Sequence, residues 1–523
     1  MTISIAPTHT IQEQVLAALM DHALHGDHPV RRIDTHAASV FLSGSRALKV
    51  KRAVRFPFLD YSTLVRRKAA CDEELKINRF FAPQIYRRVI PITQRGDGRF
   101  AVNGDGPAVE WAIEMARFDE RLTLDHLAEE KPLSYDFAES VADVIAASHA
   151  VALIAPTAPW IDSIPLIIAR NTEAFQSAGC FAADDVGKLD DASRSAFARV
   201  RTLLERRGRQ GFVRRCHGDL HLANIVSIDG KPVLFDAIEF DPAIASIDVL
   251  YDLAFPLMDL HRYGQSEAAS VILNRYLAKT PEDNFDALAL LPLFLSMRAA
   301  IRAHVLLARL DQTENDRDNI RSAARSYFEL AHRSISPPAA KLIAIGGLSG
   351  TGKSVLARAL AGLTEPLPGA IILRSDVVRK QLFHVSETDR LPGTAYQSEV
   401  TQRVYRTLGE RATQALSQGY SVIVDAVYAH EAERSAIAGV ASGMNLSFTG
   451  LFLTADLATR MRRIGGRVND ASDATSELAR IQDSYDVGSI NWTVIDASGT
   501  PERTLTQSKA ALLDPARLES QPE

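Results

Sequence analysis

Cysteine is scarce in this sequence: 523 residues contain only Cys71, Cys180 and Cys216. Three scattered cysteines make neither a disulfide framework nor the clustered spacing of a zinc site. Positive charge is not in excess either, because 59 Lys and Arg residues face 64 Asp and Glu residues and the formal net charge is −5. That balance disfavours a broad nucleic-acid-binding surface, so we do not expect nucleic acid as a partner.

Long apolar runs are also missing from the sequence. Residues 1–20 lack the basic segment and the apolar stretch of a signal peptide. The most apolar stretch, residues 287–297 (ALALLPLFLSM), contains Pro292 and is followed by Arg298, and we judge it too short to span a bilayer. We therefore expect a cytoplasmic protein with no membrane partner, which agrees with free cysteines in a reducing compartment.

The length of the chain exceeds what one hydrophobic core normally supports, so we expect at least two domains. A helical pattern over residues 322–333 stops before Pro337 and Pro338, and an apolar strand pattern begins at Lys341. Because consecutive prolines end helices and suit linkers, we predict domains at residues 1–335 and 340–515.

The two predicted domains differ in their periodicity. Residues 40–52 and 107–118 alternate as strands do, and residues 64–82 have helical periodicity. A small β-rich lobe (about 30–118) followed by a helical lobe (119–335) predicts an α+β bilobal fold of the protein-kinase type. After residue 340, apolar strands alternate with helices, which predicts an α/β domain with a parallel sheet.

A polar segment, CHGDLHLANI at residues 216–225, carries the first set of candidate catalytic residues. Phosphoryl transfer from ATP needs a carboxylate that orients the attacking hydroxyl, oxygen ligands for Mg²⁺ and a cation on the phosphates. Asp219 is the candidate base and Asn224 a candidate metal ligand. Asp236, which ends the strand pattern VLFD, is the second candidate metal ligand. This spacing parallels the kinase catalytic loop and its metal-binding Asp.

The candidate phosphate-binding cation lies upstream, in the segment ALKVK at residues 47–51. The A-x-K pattern points to Lys49, and Lys51 on the same strand face is the alternative. The following helix offers Glu73 and Glu74, of which we prefer Glu74 as the partner of Lys49. We expect residues 115–118 to lie beside the adenine.

Other polar residues leave structural and functional interpretations open. We interpret His217 and His221 as structural and Asp252 as a brace for the catalytic loop. Arg298 and Arg302, four residues apart on one helix, bind an anionic substrate or form a solvated face. The remaining candidates for turn or cap positions are Asp241 and Asp248.

The most specific motif in the chain is G-x-x-x-x-G-K-S at residues 347–354, between an apolar strand and an amphipathic helix. That context is what a P-loop requires. Lys353 then reaches the terminal phosphates, Ser354 ligates Mg²⁺, and the helix N-terminus adds partial positive charge. The predicted nucleotide-binding residues of this loop are Gly347, Gly350, Thr351, Gly352, Lys353 and Ser354.

Further P-loop features follow along the chain. Asp425 ends the apolar strand YSVIVD, at the Walker B position near the metal. Asp376 ends AIILRSD, where it either contacts the acceptor as a catalytic carboxylate or caps the next helix. Arg460, Arg463 and Arg467 lie near a helix end, and we choose Arg463 as the arginine that stabilises charge on the transferred phosphoryl group. Each of the three is alternatively a surface residue.

These motifs resemble known families. Residues 30–330 resemble the aminoglycoside phosphotransferase and choline-kinase-like group through CHGDLHLANI and LFDAIEFDP, although no glycine-rich loop precedes Lys49, only the turn at Gly44. Residues 340–500 resemble the P-loop kinases grouped with zeta toxins and gluconate kinases. The whole chain, through residues 56–83 in particular, resembles a bacterial family of bifunctional aminoglycoside phosphotransferase-like/ATP-binding proteins. The resemblance implies paired ATP-binding units and identifies no substrate.

Together these features predict an enzyme that transfers the γ-phosphoryl group of Mg-ATP to a hydroxyl of a small molecule, with ATP and Mg²⁺ bound in two modules. One alternative is a regulatory ATPase or nucleotide sensor in which one module controls the other. Another is a toxin-like kinase acting on a nucleotide-sugar. The sequence identifies neither the acceptor nor the oligomeric state.

Overall fold

The computed structural model describes residues 7–56, 59–310, 316–466 and 471–513. The chain divides into two compact units. The first unit comprises residues 1–133, 143–163 and 204–256, and the second comprises residues 134–142, 164–203 and 257–523. A helix ends at Ile335 and a strand begins at Lys341, as expected around the two prolines. The second unit nevertheless contains residues on both sides of that point, so the domain boundaries stay a prediction.

The first unit contains twelve strands among the residues described. Their bounds are β1 (Val30–Asp34), β2 (Ala38–Ser43), β3 (Arg46–Lys51), β4 (Arg55–Phe56), β5 (Leu59–Asp60), β6 (Tyr86–Gln94), β7 (Phe100–Val102), β8 (Ala108–Ala116), β9 (Val213–Arg215), β10 (Ile225–Ile228), β11 (Lys231–Leu234) and β12 (Ser246–Asp248). Six of them form one antiparallel sheet in the order β1-β2-β3-β8-β6-β7. The others pair as β4 with β5, β10 with β11, and β12 with β9.

Eleven α-helices precede Lys341 in the described part of the chain. They are α1 (Pro7–Ala18), α2 (Leu64–Phe81), α3 (Leu124–Glu130), α4 (Tyr135–Val151), α5 (Thr157–Ala178), α6 (Ala183–Arg209), α7 (Pro242–Ala245), α8 (Val249–Arg262), α9 (Ser266–Lys279), α10 (Leu291–Leu307) and α11 (Arg317–Ile335). Single turns of 3₁₀ helix occur at His22–His25, Glu120–Leu122 and Leu222–Asn224, and a longer one at Glu282–Leu290.

The six-stranded sheet buries both of its faces, and the alternation along β3 decides which side chains go where. Leu48 and Val50 join the apolar cluster that includes Val15 of α1. Ala47 joins the opposite cluster, which contains Cys71 of α2. Because side chains alternate along a strand, Lys49 lies on the α2 face. The sequence prediction of strands at 40–52 and 107–118 and of a helix at 64–82 is confirmed.

A buried ion pair joins two segments of the first unit. The guanidinium of Arg207 in α6 is 1% exposed, and its Nε and Nη2 donate to Asp248 Oδ2 and Oδ1 at 2.7 and 2.9 Å. Asp248 Oδ1 also accepts from the backbone N–H of Leu250, at the start of α8. Asp248 is therefore a cap and an ion-pair partner, in line with its structural interpretation.

The second unit contains a five-stranded parallel sheet, as predicted. Its strands are β13 (Lys341–Gly346), β14 (Ile371–Arg374), β15 (Val422–Asp425), β16 (Ser447–Thr454) and β17 (Thr493–Asp496), in the order β14-β15-β13-β16-β17. Its helices are α12 (Lys353–Ala361), α13 (Ser375–Leu382), α14 (Ser398–Ser417), α15 (Glu431–Gly443), α16 (Leu457–Gly465), α17 (Ser476–Asp483) and α18 (Pro501–Leu513), with a 3₁₀ turn at Gly393–Tyr396.

The strand order of this sheet brings three sequence motifs to one edge. All four residues of β15 are buried, as expected for a strand that is covered on both faces. Because β14, β15 and β13 are parallel neighbours, the segments that follow their carboxyl ends meet at the same side of the sheet. The P-loop and Asp376 lie on these segments, and Asp425 is the last residue of β15.

Helix α9 protects the outer edge of β14. Asn274 Nδ2 donates to the carbonyl of Ala370 at 3.1 Å, and its Oδ1 accepts from the N–H of Ile372 at 2.8 Å. A side-chain amide thus pairs with an edge strand that would otherwise expose its backbone groups. Close approach requires glycine at position 362, where a Cβ atom would come within 2.8 Å of the backbone of Glu267.

The apolar stretch at residues 287–297 belongs to a longer helical segment than the sequence suggests. Residues 282–307 run for 26 residues, which makes this the one segment of the described chain that is long and apolar enough to cross a membrane. However, 67% of its apolar window is buried within the protein. Packing in the core of the second unit accounts for its composition.

We expect Arg207→Met to lower the free energy of unfolding by roughly 3–5 kcal/mol, because it leaves the Asp248 carboxylate buried without its cation. The double variant Arg207→Met/Asp248→Leu should recover most of that loss. Urea denaturation followed by circular dichroism measures both, with Arg209→Met, an exposed arginine on the same helix, as the matched control. If the urea midpoint of the Arg207→Met variant equals that of the control, the expectation is contradicted.

His261 makes the stability of the second unit depend on pH. Its Nε2 lies 3.2 Å from the carbonyl of Pro368, and burial lowers its pKa to about 4. The unfolded chain takes up a proton near pH 6.5, whereas the folded chain does so only near 4, so stability is lost as the pH falls through that window. His261→Gln should remove a component of the order of 2 kcal/mol between pH 7 and pH 4. Melting temperatures across that range, with exposed His36→Gln as the control, test this.

Candidate functional sites

The first candidate site lies on the irregular segment between β9 and β10. Asn224, within the 3₁₀ turn, donates from Nδ2 to the backbone carbonyl of Asp219 at 2.9 Å and to its carboxylate Oδ2 at 3.3 Å. These contacts use the amide nitrogen, so the amide oxygen of Asn224 is the atom that suits a cation. The structure therefore brings the predicted base and the predicted metal ligand side by side.

A buried carboxylate braces this segment from behind. Asp252 in α8 accepts from the backbone N–H groups of His217 and Gly218, at 3.2 and 2.9 Å, and from His149 Nε2 at 3.1 Å. Gly218 has a φ of +85°, and a Cβ atom there would come within 2.8 Å of the Ala245 side chain. The interpretation of Asp252 as a brace agrees with these contacts.

The two histidines of the motif have different surroundings. The ring of His217 is buried, its Nε2 lies 2.9 Å from the carbonyl of Phe235, and burial lowers its pKa. A neutral His217 thus links the segment that carries Asp219 to the residue before Asp236. His221 Nε2 lies 3.5 Å from Asp219 Oδ2, next to the predicted base.

Lys49 lies between two carboxylates. Its Nζ is 2.5 Å from Asp236 Oδ1 and 2.8 Å from Glu74 Oε1. Burial by itself would lower the pKa of Lys49, but Asp236 and Glu74 outweigh it and raise that pKa well above its usual range. Asp236 has a φ of +61°, in the left-handed region that is costly for a residue with a side chain. In this conformation the Asp236 carboxylate contacts the lysine.

Sequence reasoning missed one member of this cluster and undervalued another. Lys51, only an alternative to Lys49, forms ion pairs with both Glu74 Oε2 and Glu239 Oε1. Glu239 was not a candidate at all. The available signal was an acidic residue in an apolar context three positions after Asp236, but many such residues are exposed. Phe118, expected near adenine, packs its ring 5.0 Å from that of Phe235.

The second candidate site is the P-loop between β13 and α12. Gly347, Gly350 and Gly352 have φ values of +133°, +86° and +100°. A Cβ atom at Gly350 would lie 2.6 Å from the carbonyl oxygen of Arg460, so glycine is required there on two grounds. Thr351 Oγ1 donates to the carbonyl of Leu348 at 2.8 Å and fastens the turn.

The polar side chains of the P-loop donate hydrogen bonds to oxygen atoms. Lys353 Nζ donates to the carbonyls of Gly347 and Leu348 at 2.7 and 3.2 Å. Ser354 Oγ donates to Asp425 Oδ2 at 2.5 Å. The structure thus brings together the predicted Walker A and Walker B residues at one edge of the sheet.

Asp376 is not the cap of α13. The cap position is Arg374, and Asp376 lies inside the first turn, from where its side chain lines a cleft with Lys353 and Asp425. Burial and the Asp425 carboxylate raise the pKa of Asp376, although Arg374, Lys353 and a hydrogen bond with Ser472 act in the other direction. Of the two interpretations left open, the helix-cap interpretation is wrong.

Arg379 is a further residue of this cleft that sequence reasoning did not single out. It lies one helical turn after Asp376 and is buried. Its Nη1 donates to Thr401 Oγ1 at 3.3 Å, and its guanidinium lies 4.9 Å from the ring of Tyr396. The i, i+3 spacing from Asp376 on one helix was the available signal.

The structure describes two of the three candidate arginines near the end of α16. Arg463 lines the cleft, but its guanidinium donates to the carbonyls of Thr351, Ala497 and Gly499, so its catalytic role stays a prediction. Arg460 is buried against the carbonyl of Ser349, which makes the surface interpretation wrong for it. Arg467 lies outside the described residues.

Three further residues singled out in the sequence are Arg298, Arg302 and Asp241. Arg298 is 5% exposed within α10, so a solvated helix face is wrong for this residue. The guanidinium of Arg302 lies 5.7 Å from the ring of Tyr327. Asp241 caps α7 by accepting from the N–H of Ala243 at 2.8 Å, as its turn-or-cap interpretation expects.

Both sites have donor sets that fit Mg²⁺. This hard cation prefers carboxylate, amide, hydroxyl and phosphate oxygens. In the first site those atoms are the amide oxygen of Asn224 and the carboxylate of Asp236, and in the second they are Ser354 Oγ and the carboxylate of Asp425. The short contact between Ser354 and Asp425 brings two such oxygens together.

Comparisons with known proteins agree with this two-part description. Residues 342–487 match the family model AAA_33, an AAA domain. An uncharacterized protein of Mycobacterium tuberculosis is 26% identical over 490 residues, which cover 91% of this chain and 94% of the relative. An alignment of that extent includes both halves, so the relative is similar to this chain from the first site through the P-loop.

Solved structures of kinases are similar to parts of this chain. A gluconokinase from Sinorhizobium meliloti is 19% identical, with a TM-score of 0.26, and covers 35% of this chain and 98% of its own. An ethanolamine kinase from Plasmodium vivax is 11% identical, with a TM-score of 0.37, and covers 60% of this chain and 84% of its own. The predicted sequence of fold classes agrees with the sheets: a six-stranded antiparallel sheet with helices precedes an α/β P-loop part with a five-stranded parallel sheet. The likeness of the first part to protein kinases stays a prediction.

Proposed function

We propose that this chain is an ATP-dependent phosphotransferase with two nucleotide-binding sites, at least one of which transfers the γ-phosphoryl group to a hydroxyl of a small molecule. The observation that carries the proposal is that a lysine and an aspartate come together at each site. Lys49 Nζ is 2.5 Å from Asp236 Oδ1, and Phe235, the residue before Asp236, donates its N–H to the carbonyl of Asn224 at 3.0 Å. Lys353 and Asp425 line one cleft, where Asp425 Oδ2 accepts from Ser354 Oγ at 2.5 Å. A lysine on the phosphates and oxygen atoms on the metal are the parts that phosphoryl transfer requires.

In the first site, Asp219 orients the acceptor hydroxyl and takes its proton. Lys49 neutralises the phosphates, and the Glu74 carboxylate, 2.8 Å from Lys49 Nζ, keeps it extended towards them. Asn224 and Asp236 would hold Mg²⁺, which supplies charge neutralisation on the phosphate oxygens when bound. The Asp252 brace keeps the backbone of the Asp219 segment in place, so little reorganisation accompanies binding.

In the second site, the backbone N–H groups of the P-loop and the Lys353 ammonium bind the phosphates. Ser354 and Asp425 would hold Mg²⁺, and Asp376 faces the acceptor. Its raised pKa supports a role in proton transfer, because burial beside Asp425 favours proton uptake by this carboxyl. Arg379 is a candidate for contact with the acceptor, since it lines the same cleft one turn further on.

The size of the cleft favours a transferase over a simple ATPase in the second site. Its volume is about 1590 Å³, whereas a site for one drug-sized ligand measures about 300–1,000 Å³. This difference leaves room for an acceptor beside the nucleotide. A regulatory ATPase, the alternative function, would need no such space and would release inorganic phosphate.

We expect Asp219→Asn to lower phosphoryl transfer by the first site about 10²-fold or more, because an amide cannot accept the acceptor proton. The full chain is incubated with Mg-ATP and a metabolite extract, and newly phosphorylated compounds are identified by mass spectrometry. Asp229→Asn is the matched control, since Asp229 lies in the exposed turn between β10 and β11. A product set that is unchanged by Asp219→Asn removes this residue from the mechanism.

Lys353→Ala should remove a different set of products and weaken transfer by the second site about 10²-fold, because the terminal phosphates lose their cation. The exposed Lys509→Ala in α18 is the control. If the wild-type chain consumes ATP in both sites yet releases only inorganic phosphate, the regulatory ATPase alternative replaces the transferase proposal.

A further inference from the structure

Five charged side chains in the first unit alternate in sign. The order is Asp236, Lys49, Glu74, Lys51 and Glu239, and each contacts the next through an ion pair. Both ends of the series lie on the short segment 236–239, both lysines lie on β3, and the central Glu74 lies on α2. The series therefore links three separate elements of the unit.

The half of this series that contains Lys51 and Glu239 has no part in the proposed phosphoryl transfer. Lys51 is 3% exposed and Glu239 is 8% exposed, so this pair is removed from water. Tyr61 closes it off: its hydroxyl donates to Glu239 Oε1 at 3.3 Å, and Lys51 Nζ lies 5.2 Å from its ring centre. A buried ion pair of this kind adds little net stability, because the loss of hydration offsets the attraction between the charges. Apolar residues of similar volume would stabilise the unit as well.

Glu74 connects the pair of Lys51 and Glu239 to Lys49. Glu74 is fully buried, and its two carboxylate oxygens are divided between the lysines, Oε1 towards Lys49 and Oε2 towards Lys51. Without Lys51, both oxygens are available to Lys49, and the ammonium group is drawn towards α2. Division of the carboxylate therefore limits how strongly Glu74 holds Lys49.

Glu239 acts on the second partner of Lys49, which is the carboxylate of Asp236. It lies three residues after Asp236, whose φ of +61° has to be maintained by its surroundings. The contact of Glu239 with Lys51 ties the segment 236–239 to β3, two residues from Lys49. The carboxylate of Asp236 is thereby kept at the ammonium group.

We propose that Lys51 and Glu239 are a positioning pair, which fixes Glu74 and Asp236 on either side of Lys49 so that its ammonium group is ready for the phosphates of ATP. The proposal rests on the proposed nucleotide site of the first unit. Neither residue needs to touch the nucleotide, and both act through the partners of Lys49.

The test uses the full chain with Lys353→Ala, which weakens nucleotide binding by the second site, and measures the binding of Mg-ATP to the first site by calorimetry. We expect Lys51→Met and Glu239→Gln each to weaken binding roughly tenfold, and Lys51→Met/Glu239→Leu to weaken it by a similar factor rather than by the product of the two. Tyr61→Phe, which removes a hydroxyl from the same buried cluster and keeps the ion pairs, is the matched control and should bind within about twofold.

The double variant also separates positioning from stability. A neutral apolar pair should restore the unfolding midpoint that the single variants lose. If Mg-ATP binding returns together with the midpoint, the pair is only structural and the proposal is overturned; weakened binding in a stable double variant supports it. The double variant also decides the matter if the single variants do not fold. Absence of Mg-ATP binding in the Lys353→Ala parent would instead contradict the proposed function of the first site.

Discussion

A charge that folding removes from water has to meet an opposite charge or a set of oriented dipoles, and both candidate sites depend on this requirement. In the first unit, Lys51 is buried and Lys49 is half-buried, and the two lysines contact three carboxylates. In the second, Lys353 is held by two backbone carbonyls of its own loop. Both arrangements hold an ammonium group in a defined position, which is the preorganisation that the proposed binding of phosphate needs.

The two candidate sites position their charged groups in different ways, the first with side chains and the second with the backbone. The first site relies on side chains from several elements, and the carboxylate of Asp252, which is distant in sequence, holds the segment 216–224 by backbone N–H groups. The second site relies on the backbone itself, which only glycine allows to close tightly at Gly350. The side-chain solution needs more residues that are far apart in sequence, and the backbone solution is contained in a short motif.

This difference explains how much of each site could be predicted from the sequence. The strand and helix on either side of the P-loop motif and the parallel sheet were predicted correctly, because a local motif and a regular periodicity encode them. Lys49 and Glu74 were chosen correctly as partners, since period two on β3 and helical spacing on α2 restrict the choice. Glu239 was missed, because its importance comes from Lys51, which is 188 positions away. For Arg298 the sequence left anion binding and a solvated face open, because helical spacing does not say which neighbours cover a face.

By itself, the amino-acid sequence determined the elements, the fold classes and the residue types able to bind phosphate, because these follow from periodicity and from short motifs. Only the tertiary structure decided which charged side chains became partners, that Asp376 faces a cleft instead of capping a helix, and that Asn274 covers the edge of β14. The physical reason is distance along the chain. Propensity and spacing act over a few residues, whereas the pairing of buried charges depends on which distant segments exclude water together.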